Sequence, residues 1–301
     1  MLTTNQAASL LGVHPSSIKR WCNEEGLPCT YTPGGHRRIE LDALLDFGRD
    51  RDLLSPLLNL KPHQRRAWTA LQDALHDEQY DALTGLAYDL LVDEPASRFR
   101  AFLRFLRQQD LPLDVLFDHV LTPALQTVGR HWYEGELEIG DEHRITHLVR
   151  DSLIQLLNQE ASLEPASSVA LVGTSRNESH EIGALMTRLI LEQHGWTVIY
   201  LGSDVPSEEF ALQQRKYEAP LVCVSFTSLR GGTAEMQRLV QVLTKFYELD
   251  APYRLALGGA FVSPNTNLSL PQNPLLDVEV FDRLHPFNEW VSSFSPDSSL
   301  S

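Results

Sequence analysis

From Ser168 onward the chain alternates short apolar runs with amphipathic segments, and this alternation restricts its fold more than any other feature. Ser168-Val-Ala-Leu-Val-Gly173, Val198–Leu201, Leu221–Phe226, Arg254–Gly258 and Asp277–Val280 read as strands. Leu185, Leu189 and Ile190 recur at helical spacing after the first, and further helices are expected near 206–217 and 233–248. Strands separated by helices run parallel, so residues 165–290 are predicted to form a doubly wound α/β sheet. Such sheets bind ligands at the carboxyl edge of their strands. The loop leaving the first strand is Thr174-Ser-Arg-Asn-Glu178-Ser-His180-Glu-Ile-Gly183. His180 there can point its imidazole into a crevice. Glu178 can accept the N–H of one ring nitrogen and leave the other for a metal. Gly183 lets something broad lie flat on the loop.

Residues 1–50 differ in character. Thr4 to Leu11 reads as a short helix, Gly12-Val13 as a tight turn, and Pro15 as the start of a second helix reaching about Cys22. Ala7, Ala8, Leu11, Val13, Ile18 and Trp21 would close a small core between them. This helix-turn-helix presents Ser16, Ser17, Lys19 and Arg20 outward, suited to phosphate oxygens and base edges in a major groove. Thr32-Pro-Gly-Gly-His36-Arg37-Arg38-Ile39 follows as a turn and a basic return strand, the pattern of a wing. The net charge of −15 argues against a protein that coats nucleic acid along its whole length. Residues 1–39, however, carry four basic side chains against two acidic ones, so a double-stranded DNA operator is the expected partner of this head.

A polar stretch with Ser55-Pro56 and Lys61-Pro62 is expected to be a linker over residues 51–64. Residues 65–160 are almost free of strand pattern and are predicted to form a bundle of four or five helices. Leu113, Leu116, Phe117, Val120, Leu121, Ala124, Leu125 and Val128 make one apolar stripe, which Pro123 would kink or restart with Thr122 as cap. Near the end of this region Trp132 and Glu142-His143 stand nine residues apart across a turn at Gly135, so an indole and a carboxylate can face one cavity. Residues 291–301, rich in Ser, are expected to be a flexible tail. No run of 18 apolar residues appears, and the first residues lack the basic start and apolar core of a signal peptide. Cys22, Cys29 and Cys223 form no Cys-x-x-Cys pair, which fits a reducing compartment and offers no zinc site. A cytoplasmic protein is expected.

These motifs resemble known families. Residues 2–48, with their Thr-Pro-Gly-Gly-His-Arg-Arg wing, are similar to the winged helix-turn-helix of the MerR and excisionase type. Glu178-x-His180-x-x-Gly183 resembles the motif of the cobalamin-binding family, with Glu178 where that family usually has Asp, on a Rossmann-like fold. The resemblance implies that His180 displaces the cofactor's own base and becomes the lower axial ligand of cobalt. Ser225, Thr227, Gly258 and Gly259 match further strand ends of the family, as hydroxyls for the cofactor's nucleotide tail and as glycines that open a slot for it. The family's Ser-x-Leu registers as Ser225-x-Thr227 or as Thr227-x-Leu229.

Trp132, Glu142 and His143 resemble the Trp-x(9)-Glu-His motif of cobalamin-dependent photoreceptor regulators, in which the Trp packs by the upper adenosyl group and the Glu hydrogen-bonds it. This chain has Tyr133 where members with a bis-histidine photoproduct carry His, and His131 projects differently, so the resemblance carries cofactor binding but not that photoproduct. Together the motifs imply a transcriptional regulator, not an enzyme. It would bind adenosylcobalamin or another cobalamin between bundle and sheet, act as a homo-oligomer (dimer or tetramer) and repress in response to light. Two other readings stay open on the residues alone. One is a corrinoid methyltransferase component, which combines the same cap and fold; the other is a light-independent regulator that binds a different tetrapyrrole or no cofactor.

Overall fold

The structure, a computed structural model, describes residues 1–51, 53, 62–160, 168–227, 232–248, 251–260, 262 and 276–293. Leu229, most of the expected linker and residues 294–301 lie outside the described residues. The chain divides into two compact units, Met1–Asp110 and Leu111–Ser301.

In the first unit α1 (Thr4–Leu11) packs on α2 (Pro15–Glu24). Strands β1 (Thr30–Tyr31) and β2 (Arg37–Arg38) then form an antiparallel wing, and α3 (Leu41–Arg49) closes the head. Ala7, Ala8, Leu11, Ile18 and Trp21 are buried as expected, while Val13 is half-buried. Leu2 and Ile39 complete this core by exchanging backbone hydrogen bonds at 2.7 and 2.9 Å. Helix α2 begins on His14, whose ring accepts from the Ser16 backbone N–H at 3.2 Å, while Pro15 occupies the first turn, where no donor is needed. Three amphipathic helices follow, α4 (Pro62–Asp77), α5 (Asp81–Val92) and α6 (Ala96–Gln108), and pack through Trp68, Leu71, Leu83, Phe99 and Phe102.

The second unit opens with α7 (Leu113–Leu116), a π-helical turn (Phe117–Leu121), α8 (Thr122–Tyr133) and α9 (Ile139–Glu160). The helical region expected over 65–160 is thus divided: α4 to α6 belong to the first unit and α7 to α9 to the second, with the break at Asp110 (φ 57°) and Pro112. Pro123 does restart the helix, but Thr122 is not its cap. Thr122 has helical angles, and its N–H donates five residues back to Phe117. The wider turn takes up the strain that the missing proline donor and its ring would impose on an α-helix.

The sheet follows, with β3 (Val169–Thr174), β4 (Thr197–Gly202), β5 (Leu221–Ser225), β6 (Arg254–Gly258) and β7 (Asp277–Phe281). All pair in parallel in the order β4-β3-β5-β6-β7. The intervening helices are α10 (Ile182–Gln193), α11 (Ser207–Tyr217) and α12 (Gly232–Lys245), with α13 (Leu284–Ser292) last. Val291 is buried on α13, so the expected tail does not begin at 291. The connection leaving β3 runs to β4 on one side and the connection leaving β5 runs to β6 on the other, which opens a crevice at the carboxyl ends of β3 and β5.

Candidate functional site

That crevice is part of a cavity of about 900 Å³ lying wholly within the second unit. Its size is at the upper end of ordinary small-ligand sites, roughly 300–1,000 Å³. Val172 on β3, Cys223 on β5 and Ala256 on β6 line one wall in register with one another. Together with Gly258, their small side chains leave depth between α10 and the N-terminus of α13. The sequence reading missed these three, because each is an unremarkable strand residue until the register aligns them.

His180 and Gly183 lie on one side of this space. The His180 ring is more than half exposed, and its Nδ1 meets Glu178 Oε1 at 2.6 Å. The same oxygen accepts the His180 backbone N–H at 2.8 Å, and Glu178 Oε2 accepts the Thr227 backbone N–H at 2.9 Å. Glu178 itself is buried and does not line the cavity. It fixes the ring from behind, ties the β3 loop to the β5 loop, and leaves the Nε2 lone pair for a ligand. The loop is braced further by Thr174, which donates to the Glu178 carbonyl at 2.6 Å and accepts from the Asp204 N–H at 3.0 Å.

Ser225 and Thr227 also line the cavity. The Ser225 hydroxyl is buried without a hydrogen-bond partner, an unusual state that a bound polar ligand would relieve. A Cβ on Gly183 would lie 3.1 Å from that hydroxyl, so the glycine keeps access to it open. Both Gly258 and Gly259 line the space, but Gly259 is needed for another reason as well. Its φ is +117°, and a Cβ there would sit 2.3 Å from the Phe226 carbonyl oxygen, so it permits two backbone segments to cross closely.

On the other side stand Trp132 from α8 and Glu142 and His143 from α9. Trp132 is 45% exposed, far from a core indole. Glu142 accepts from Thr146 Oγ1 at 2.9 Å and pairs with His143 Nδ1 at 2.9 Å. Tyr133 is 87% exposed and absent from the lining, and His131 turns toward Glu136 at 3.6 Å. The cavity therefore joins nine of the ten predicted cofactor residues, with Glu178 behind. A nitrogen donor held by a buried carboxylate, an orphaned hydroxyl and a glycine-edged slot fit a large planar metal cofactor with a polar tail.

The predicted DNA residues all lie in the first unit. Lys19 and His36 are exposed, and Arg20 pairs with Glu25 at 3.0 Å while staying 59% exposed. Ser16 is exposed, though its hydroxyl meets His14 Nδ1 at 2.7 Å, and Ser17 is half-buried. Arg37 and Arg38 are half-buried on β2. Arg37 donates to Asn23 Oδ1 at 2.9 Å and lies over the Tyr31 ring, so it pins the wing to α2. The Cys22 thiol contacts Cys29, and burial with that contact pushes it up to about 11.

Comparisons with known proteins agree with this geometry. Residues 1–51 match a helix-turn-helix domain family, and residues 88–157 and 168–283 each match a B12 binding domain family. A DNA-binding head joined to a cobalamin-binding fold defines a cobalamin-dependent transcriptional regulator. The chain is 31% identical over 219 residues to the HTH-type transcriptional repressor CarH of Myxococcus xanthus, covering 68% of this chain and 72% of that one, and it belongs to that family. A corrinoid protein of Desulfitobacterium hafniense is 24% identical over 155 residues, half of this chain and 71% of its own length. The fold is also that of the monomethylamine corrinoid protein of Methanosarcina barkeri, with a TM-score of 0.57 at 14% identity over 71% of this chain and 99% of that one. The chain is accordingly a regulator with a cobalamin cofactor and a DNA partner, rather than a methyl-transferring enzyme. Among the described residues no helix is long and apolar enough to cross a membrane.

Proposed function

We propose that this regulator is a repressor whose DNA affinity is set by the upper axial ligand of adenosylcobalamin. Residues 1–50 form the DNA head, 51–64 the linker, 65–160 the helical region whose α7 to α9 cap the cavity, and 165–290 the cobalamin-binding region. His180 would hold the cofactor's cobalt through Nε2, and Glu178 fixes the ring for it. Ser225, Thr227, Gly258 and Gly259 would receive the nucleotide tail, and Gly183 would let the broad ring lie on the loop. Trp132, Glu142 and His143 meet the adenosyl group. Ser16, Ser17, Lys19, Arg20, His36, Arg37 and Arg38 make the DNA surface, with Arg37 also holding the wing in place. When bound, the cofactor supplies a cobalt–carbon bond that light can break. Weak single heads become a tight operator binder when a homo-oligomer presents several at once, in the cytoplasm where the DNA is.

The observation that carries this reading is the Glu178–His180 pair at 2.6 Å, on the same cavity as the orphaned Ser225 hydroxyl. The test is gel filtration of the full chain with adenosylcobalamin in the dark, for the natural protein and for His180→Ala. Red cofactor kept by the first and lost from the second supports it, and colourless elution of both refutes it. The exposure of Tyr133, away from the cavity, favours a second reading in which the cofactor is bound but light is not sensed. Gel shifts on upstream DNA before and after illumination separate the two. Equal retardation in both states selects the light-independent regulator.

A further inference from the structure

Helix α9 carries Glu142, Thr146 and Arg150 four residues apart, so the three share one helix face over a rise of about 12 Å. The first two line the cavity and are joined by the 2.9 Å bond from Thr146 to Glu142. The third leaves the helix for the sheet. Arg150 Nε donates to Glu181 Oε1 at 2.5 Å, and the Tyr200 hydroxyl, on β4, donates to Glu181 Oε2 at 2.8 Å. Glu181 is the covalent neighbour of His180 and the residue from which α10 starts; its carbonyl accepts the Leu185 N–H at 3.0 Å. Both carboxylate oxygens are therefore held by groups from two other elements.

This cluster is sheltered. The Arg150 and Glu181 side chains are 39% and 19% exposed, and Arg188 covers the Tyr200 ring at 5.7 Å while pairing with Glu192 at 2.7 Å. The hydrogen bond to Glu181 raises Arg150, and burial together with Glu181 pushes Tyr200 well above its usual range, so both remain donors wherever the protein is folded. Glu178 governs the rotation of the His180 ring, whereas Glu181 governs the backbone that carries it. Through Arg150, that backbone is tied to the helix bearing Glu142.

We propose that Arg150, Glu181 and Tyr200 form a positioning latch that sets the height of the His180 imidazole relative to the α9 face carrying Glu142. The proposal rests on His180 being the cobalt ligand. A change at Glu142 then reaches His180 through one helix and the Arg150–Glu181 hydrogen bond, and His180 strain reaches Glu142 by the same route.

The experiment loads the full chain with cob(II)alamin and records its electron paramagnetic resonance spectrum, in which an axial nitrogen splits each line into three. Retained cofactor and the melting temperature of the unliganded protein are measured alongside. Arg150→Met and Glu181→Gln are expected to retain cobalamin yet lose most of the nitrogen splitting, and to release the cofactor about tenfold faster. Arg150→Lys restores most of the splitting, and Tyr200→Phe, which removes only a hydroxyl, weakens it without loss of fold. Unchanged splitting in Arg150→Met, Glu181→Gln and Tyr200→Phe overturns the latch, even if melting falls, because docking α9 would then be their whole role. A natural protein that binds cobalamin without nitrogen splitting, or whose splitting stays threefold instead of becoming twofold when its histidines are ¹⁵N-labelled, overturns the His180 reading and the latch with it.

Discussion

Ser225 and Gly259 lie on adjoining strand ends, yet adding or removing one small group has opposite consequences there. The Ser225 hydroxyl is desolvated without compensation, so Ser225→Ala is expected to leave the unliganded protein equally stable or about 1 kcal/mol more stable. Cobalamin retention should fall in the same variant, and urea unfolding set beside equilibrium dialysis checks the pair of outcomes. Gly259→Ala introduces a methyl at 2.3 Å from a carbonyl oxygen in a backbone region closed to L side chains, and should cost about 3 kcal/mol in urea unfolding. The sequence pointed to both residues as a tail slot. What it could not show is that Gly259 serves the backbone crossing, because Phe226 approaches it only through the parallel pairing of β5 with β6.

At the scale of elements, the seat of α13 depends on carboxylates from the helical segment before the sheet. Asp118, on the π-turn, accepts the Leu284 and His285 N–H groups at 3.0 and 2.8 Å and so caps α13 from another element. Asp114 meets His285 Nδ1 at 2.6 Å. Burial pushes the Asp114 carboxyl up, but hydrogen bonds from His285, Asn288 and the Val115 backbone outweigh this and hold it below its ordinary 3.8. The bond to Asp114 in turn lifts His285 above its ordinary 6.5. A raised histidine stabilises fully below 6.5 and fades as pH rises through its folded value; a lowered carboxyl stabilises above 3.8 and fades as pH falls through its own. The difference in melting temperature between the natural protein and His285→Ala should therefore be widest between about pH 4 and 6.5 and shrink by about pH 9. A scan of melting against pH checks it, and a constant difference would contradict it. The restart at Pro123 was legible from one residue type. The π-turn was not, since a proline can kink, end or widen a helix and no nearby residue type chooses between these outcomes.

For the whole molecule, a net charge of −15 and a DNA-binding head are compatible because residues 1–39 carry four basic side chains against two acidic ones and the excess acidity lies elsewhere in the chain. Lys19→Ala should weaken binding to all DNA sequences and lower the salt slope of affinity by about one, read from gel shifts across salt concentrations. Arg37→Ala should in addition destabilise the head by about 1 kcal/mol, because its guanidinium holds Asn23 and Tyr31.

Local periodicity and turn chemistry, which act over a few residues, were enough to place the first two head helices, the wing, the five strands and the loop bearing His180, but not α3. They also placed Trp132 and Glu142 near a shared turn. Only the tertiary structure decided that the long helical region divides at Asp110, that Val172, Cys223 and Ala256 align along one wall, and that Arg150 reaches Glu181. Those outcomes depend on strand order and helix docking between residues far apart in the chain, where pairing energies are settled by three-dimensional packing and no short-range pattern records them.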